Sequence, residues 1–130
     1  MGRSSAYARW LFGTAAALNI AVVILFLAFP PMMVLLVGFR PGPPINMTLG
    51  YLVGSFILLF GYAYVLIARD SVRYRPYIHL AAIGKLMAVG CVALSWLQGY
   101  VQAQSLVLIS PDLIYAVLFF LYLGRTPATA

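Results

Sequence analysis

The sequence contains very little charge. Of its 130 residues, 8% are Asp, Glu, Lys or Arg, and only two of these are acidic. About a quarter of the residues of a soluble domain are charged, so this chain has too few to cover a surface that faces water. Hydrophobic residues make up 65% of the chain. This composition excludes a soluble globular protein and predicts that lipid is the solvent of the chain.

Residues that bind metals or form disulfides are also scarce. One cysteine, Cys91, lies in an apolar run, and there is one histidine, His79. A disulfide framework, a cysteine cluster and a histidine pair are therefore excluded within one chain, and no metal or cofactor is expected. No hydrolase, metalloprotease, phosphate-loop or dinucleotide motif is present. The charged residues behind the net charge of +6 are spread singly among the apolar runs and form no basic stripe, which argues against nucleic acid as a partner.

Four apolar segments are long enough to cross a bilayer, which takes about 20 residues per helix. They predict an all-α integral membrane protein with one domain over residues 1–130, an antiparallel bundle of four transmembrane helices. The sequence Ser110-Pro111-Asp112 interrupts the fourth segment. The proline-rich segment 30–47 has no assigned role. The predicted helices cover residues 10–29, 48–68, 77–97 and 105–123.

Arginine is distributed unequally between the two sides of these segments. On the side of the two termini lie Arg3, Arg9, Arg69, Arg73, Arg75 and Arg125, whereas Arg40 is alone on the other side. The positive-inside rule therefore predicts that both termini are cytoplasmic and that the chain is a multi-pass protein of a cell membrane, with the bacterial inner membrane favoured. Arg69, Arg73 and Arg75 either only set this topology or also bind anionic lipid head groups.

Two ionisable residues, Lys85 and Asp112, lie inside predicted spans, where charge is costly and points to function or to a partner. At a helix rise of about 1.5 Å per residue, Lys85, Asn19 and Asp112 lie about 12, 14 and 16 Å from the cytoplasmic boundary. The three side chains are therefore expected near the midplane, with Lys85 and Asp112 on neighbouring antiparallel helices. A structural ion pair, a binding or catalytic lysine and a snorkelling lysine all remain open.

Asp112 has a second interpretation, because serine, proline and an acid in succession are typical of a helix start. Ser110 would then be the N-cap and Pro111 the first helical residue. Both interpretations place Asp112 within the protein or in a pocket. The remaining polar candidates for ligand binding are Tyr115, one turn from Asp112, and Ser55 and Tyr62 in the second span.

Small residues form stripes on two spans. In the second span Gly50, Gly54, Gly61 and Ala68 share one face, and in the third span Gly84, Ala88, Cys91 and Ser95 do so. Small residues let helix backbones approach closely. We expect internal packing, with Cys91 as a small buried residue; a homodimer seam or a ligand groove is the alternative.

Three functions remain compatible with the sequence. The first is binding of a lipophilic or amphipathic small molecule at the buried polar site, with transport as a variant. The second is an accessory or assembly subunit of a larger membrane complex, in which the Lys85–Asp112 pair is structural. The third is an embedded isomerase or cyclase acting on a lipid-like substrate, with Lys85 and Asp112 as acid and base.

Overall fold

The computed structural model describes residues 4–29 and 44–126, with side chains described from residue 48 onwards in the second range. Within these residues there are four α-helices and no strand, and every helix is long and apolar enough to span a membrane. The predicted all-helical, four-helix architecture is thus confirmed. Arg3, Arg40 and the proline-rich residues 41–43 lie outside the described residues. The helices are α1 (Ala6–Ala28), α2 (Pro44–Arg69), α3 (Arg75–Leu97) and α4 (Gln104–Arg125).

Each helix begins one to four residues before the segment predicted from the sequence. At the start of α1, Ser5 Oγ accepts a hydrogen bond from the backbone N–H of Ala8 at 3.1 Å. This satisfies one of the N–H groups that have no partner within the helix. In α3, Pro76 lies in the first turn, where a missing N–H costs nothing.

The predicted interruption of α4 is wrong. The helix runs unbroken through Pro111, and Ser110 is an interior residue rather than an N-cap. Proline has no N–H and so leaves the carbonyl of the residue four positions earlier, Val107, without its helical donor. Ser110 Oγ donates to Val107 O at 2.7 Å instead. This replacement bond explains how the helix continues across the proline.

The apolar core lies at one end of the bundle, where α1 begins and α4 ends. We call it the terminal core. Its rings pack closely, with Phe12 and Phe119 centroids 4.9 Å apart and those of Tyr64 and Phe119 5.5 Å apart. It draws on the first halves of α1 and α3 and on the last halves of α2 and α4. Its buried members are Ala8, Leu11, Phe12, Ala15, Ala16, Tyr64, Ile67, Ile78, Ala81, Ala82, Phe119, Tyr122 and Leu123.

The four helices form two hairpins, α1–α2 and α3–α4, whose helices pack extensively within each hairpin, whereas α2 and α3 have few contacts. Gly61 brings α2 close to α1, since a Cβ built at Gly61 would lie 3.4 Å from Asn19 Cβ. Gly50 similarly faces the ring of Phe26, while nothing lies within 4 Å of a Cβ at Gly54. The predicted internal packing of the α2 stripe is therefore confirmed at Gly50 and Gly61 but not at Gly54.

A buried chain of hydrogen bonds joins the N-terminal segment, the α2–α3 turn and α4. Ser4 Oγ donates to Ile67 O at 3.1 Å and accepts from the backbone N–H of Ser71 at 2.7 Å. Tyr122 Oη in turn donates to Ser71 Oγ at 2.8 Å. The chain ties together both hairpins, because Ser4 precedes α1 and Tyr122 belongs to α4.

Replacing Tyr122 by phenylalanine tests this chain. Tyr122→Phe removes one buried hydrogen bond and keeps the ring that packs edge-on against Phe12 at 5.4 Å, so the free energy of unfolding should fall by about 1 kcal/mol. Reversible unfolding in mixed SDS micelles measures it. The control is Tyr62→Phe, because Tyr62 is 61% exposed and the same chemical change there should cost nothing measurable. Equal costs at the two positions would contradict a role for the chain.

Candidate ligand site

The predicted pair exists: Lys85 Nζ donates to Asp112 Oδ1, joining α3 to α4. The Lys85 side chain is 5% exposed and that of Asp112 26% exposed. Lys85 therefore does not extend towards the membrane interface as a snorkelling lysine would, because its side chain is buried beside a carboxylate. The pair is unequal, since the aspartate side chain is about five times more exposed than the lysine side chain.

Two tyrosine rings complete the surroundings of the ammonium. Lys85 Nζ lies 5.4 Å from the centroid of the Tyr64 ring and 5.6 Å from that of Tyr115. Cations are attracted to ring faces at such distances, more strongly where water is excluded. Tyr115 was predicted at the site, and Tyr64 was not. Tyr64 lies three residues after Gly61 and four before Ala68, so the inward-facing stripe of α2 contained the signal for it.

Asn19 connects α1 to α2 at the same level. It is 8% exposed, and its Nδ2 donates to Ile57 O at 3.0 Å. Since only the amide nitrogen can donate to a carbonyl, this bond also fixes the orientation of the amide. Gly61 lies at this close approach, because a Cβ there would be in van der Waals contact with Asn19 and a longer side chain would have to displace it. Asn19 is thus an interhelical hydrogen-bonding group.

A cavity of about 360 Å³ lies between the two hairpins and is lined by all four helices. Such a volume is near the lower limit of small-molecule pockets, about 300–1,000 Å³. Four of its lining residues are polar or carry a polar atom: Asn19, Tyr64, Lys85 and Asp112. The other walls are apolar, and the larger side chains among them include Val22, Phe56, Ile57, Phe60, Leu108 and Ile109.

The polarity of this cavity changes along the bundle. On α2 the lining runs from Val53 to Tyr64 and on α4 from Leu108 to Asp112, and in both helices the polar residue lies at the end towards the terminal core. Lys85 on α3 likewise precedes the apolar lining residue Ala88. The cavity therefore has a polar floor next to the terminal core and apolar walls beyond it, which suits a molecule with one polar end.

Among the other predicted ligand-binding residues, Tyr115 contacts the Lys85 ammonium without lining the cavity, and Ser55 and Tyr62 lie away from it. Ser55 is exposed, and its Oγ donates to Tyr51 O in its own helix at 2.8 Å. Tyr62 is 61% exposed, about 200° around α2 from Tyr64 at 100° per residue. Cys91 is exposed as well, so its predicted burial is wrong. The side chains of Ser55, Tyr62 and Cys91 therefore face the outside of the bundle.

The three arginines near the α2–α3 turn also differ from one another. Arg69 and Arg73 are exposed, and the Arg73 guanidinium lies 5.6 Å from the ring centroid of Tyr74. Arg75 instead donates to Leu123 O at 2.8 Å and to Thr126 Oγ1 at 3.0 Å. It thereby satisfies a carbonyl at the end of α4, where cations are favoured. Arg75 is thus engaged within the protein, and Arg69 and Arg73 are the accessible cations of the turn.

No protein-family model, curated protein or solved structure matches this chain. Within residues 4–29 and 44–126, no three side chains of the His, Cys, Asp and Glu types are grouped so as to hold a metal ion. The chemistry of the site is therefore that of an ion pair, an amide and aromatic rings at the floor of an apolar cavity.

Proposed function

We propose that this chain is a multi-pass membrane protein that binds a lipophilic or amphipathic small molecule in the cavity between its hairpins. The cavity with a polar floor and apolar walls carries the proposal. A molecule with one polar end and an apolar body would place each part against matching surface. Transport is a variant of this function, in which the bound molecule enters the cavity from one side of the membrane and leaves on the other.

Membrane insertion is supported by what the helices expose. Large apolar side chains are exposed on every helix, among them Ile24, Leu59, Met87 and Val107, and lipid would cover such surfaces at no cost. The distribution of arginine supports a topology in which both termini are cytoplasmic, and our proposal places the chain in a cell membrane of the bacterial inner-membrane type. In this orientation Arg69 and Arg73 face the inner leaflet, where anionic lipid head groups are available to them.

One observation favours a second candidate, an accessory subunit of a larger membrane complex or a homodimer. The Lys85 ammonium is satisfied by partners within the chain, as expected of a pair that fixes helix register. In that case the cavity would be empty or filled by bilayer lipid, and the exposed apolar surface would bind another protein chain. The two candidates therefore differ in what copurifies with the protein.

Filling the cavity tests the first candidate. Ala88→Leu places a larger side chain in the cavity wall, and Ala21→Leu makes the same change at an exposed position of α1. The protein is extracted from the expressing membranes and examined by native mass spectrometry. We expect the wild type and Ala21→Leu to carry a bound small molecule and Ala88→Leu to lose most of it, because its space is occupied.

Three outcomes decide between the candidates. A wild type that carries no small molecule overturns the binding proposal, and so does an Ala88→Leu variant that binds as well as Ala21→Leu. Copurification of another protein chain in place of a small molecule supports the accessory candidate.

A further inference from the structure

We propose that the cavity selects uncharged lipophilic molecules that donate a hydrogen bond, such as long-chain alcohols, over anions and cations of the same length. This inference rests on the proposed binding function and names the class of ligand. It follows from the charge of the cavity floor and from which of its polar atoms a ligand can reach.

The floor is neutral as a whole. Lys85 contributes one positive charge and Asp112 one negative charge, and no other Lys, Arg, Asp or Glu lines the cavity among the described residues. An anionic ligand would therefore leave a net negative charge in an apolar place, and a cationic ligand a net positive one. An unpaired buried charge is costly, whereas an uncharged ligand keeps the balance.

The residues that carry the donors of the floor are largely buried: Lys85, Asn19 and Tyr64 are 5%, 8% and 1% exposed. The Lys85 ammonium is bonded to Asp112, lies against two tyrosine rings and is 5% exposed. An anion in the cavity therefore has little access to the ammonium. Asn19 Nδ2 uses one of its two N–H groups on Ile57 O. The cavity therefore presents few accessible donors to a ligand that can only accept hydrogen bonds.

The acceptors of the floor have capacity left. An ionised carboxylate has about four lone-pair sites, and Lys85 uses a position on Oδ1 of Asp112. Asp112 is also the more exposed member of the pair, at 26%, and lines the cavity. The amide oxygen of Asn19 is a second acceptor in the same wall. A hydroxyl or N–H at the end of an apolar chain is the group that such a floor would bind.

The test uses four probes that share an unbranched ten-carbon chain and differ in the polar group at its end: decanol, decyl methyl ether, decanoate and decyltrimethylammonium. Each competes against a photoreactive decanol analogue for the wild-type protein in nanodiscs. Labelling of α3 and α4 is measured by mass spectrometry of the peptides, and probe concentrations are expressed as mole fractions in the bilayer. Decanol should compete about tenfold more strongly than the ether, which lacks only the donor, and more strongly than either ion.

Each result has a distinct meaning. If the photoreactive alcohol does not label the cavity helices, both the selectivity and the binding function are overturned. If the alcohol and the ether compete equally, the cavity binds both ligands without distinguishing the one that donates a hydrogen bond, and only the proposed selectivity is overturned. Decanoate as the best competitor would show that the Lys85 ammonium recognises the ligand. Decyltrimethylammonium as the best competitor would show that Asp112 acts as a counter-ion for cationic ligands. Each of these two results overturns the proposal for uncharged ligands.

Two variants keep the proposal testable if one does not fold. Asp112→Asn retains an acceptor but leaves the charge of Lys85 uncompensated, so the preference should move from decanol towards decanoate. The double variant Lys85→Met, Asp112→Leu keeps the floor neutral and removes its strongest acceptor. In that protein the advantage of decanol over the ether should disappear while the ether still competes. An alcohol preference unchanged in both variants would overturn the assignment to Asp112.

Discussion

Replacing Asp112 by leucine alone should lower the free energy of unfolding by about 3–5 kcal/mol, the range measured when one partner of a buried ion pair is removed. The physical reason is the position of Lys85. Its side chain is 5% exposed, so the ammonium would be left in an apolar interior without its carboxylate. The neighbouring tyrosine rings attract a cation but do not replace an ionised partner.

The double variant Lys85→Met, Asp112→Leu is the control that separates the pair from the site around it. Both charges are gone, methionine is close to lysine in volume and leucine keeps the branched shape of aspartate, so this protein should be more stable than Asp112→Leu and within about 1–2 kcal/mol of the wild type. SDS-induced unfolding of all three proteins under one set of conditions gives the comparison. A double variant less stable than Asp112→Leu would contradict the buried-pair argument.

Replacing Gly61 by leucine should be the next most damaging change, costing about 3 kcal/mol through overpacking between two helices. A Cβ at Gly61 would already lie 3.4 Å from Asn19 Cβ and 3.5 Å from Ile20 Cγ1. The remaining atoms of a leucine would push α1 away from α2. The hydrogen bond between Asn19 and Ile57 O would then be lost with the close approach that permits it.

Gly54 offers a matched control seven residues earlier on the same helix face. Nothing lies within 4 Å of a Cβ built at Gly54, so Gly54→Leu should change the free energy of unfolding by no more than about 0.5 kcal/mol. Both variants replace a helical glycine by leucine, and their difference therefore isolates the contact between α1 and α2. Equal unfolding midpoints for the two proteins would show that this contact does not contribute to stability.

The sequence predicted the parts of this fold that depend on contrast between polar and apolar residues. Four long apolar runs indicated four helices, and two charges within them indicated the Lys85–Asp112 pair. It could not predict reliably which face of each helix points inward. In a soluble helix the polar side faces water, but here both the core and the outer surface are apolar. Tyr62 and Cys91 were misplaced for that reason.

Other differences have local causes. The sequence Ser110-Pro111 is compatible with both the start and the interior of a helix, and the hydrogen bond from the Ser110 hydroxyl to Val107 O distinguishes them. From the sequence, Arg75 was expected to set the membrane topology, whereas in the structure it donates a hydrogen bond to a backbone carbonyl at the end of α4. Both outcomes depend on side-chain contacts that hydropathy and charge patterns do not contain.

The off-centre position of the terminal core has a consequence for how such a protein can change over generations. The side chains that hold the hairpins together, such as Phe12 and Phe119, are separate from those that form the apolar cavity walls, such as Phe56 and Leu108. A substitution at such a wall residue alters the shape of the cavity without removing a core contact, whereas Phe60 and Tyr64 belong to both surfaces. The shape of the cavity can therefore diverge between descendants at positions such as Phe56 and Leu108 while the scaffold that supports it stays the same.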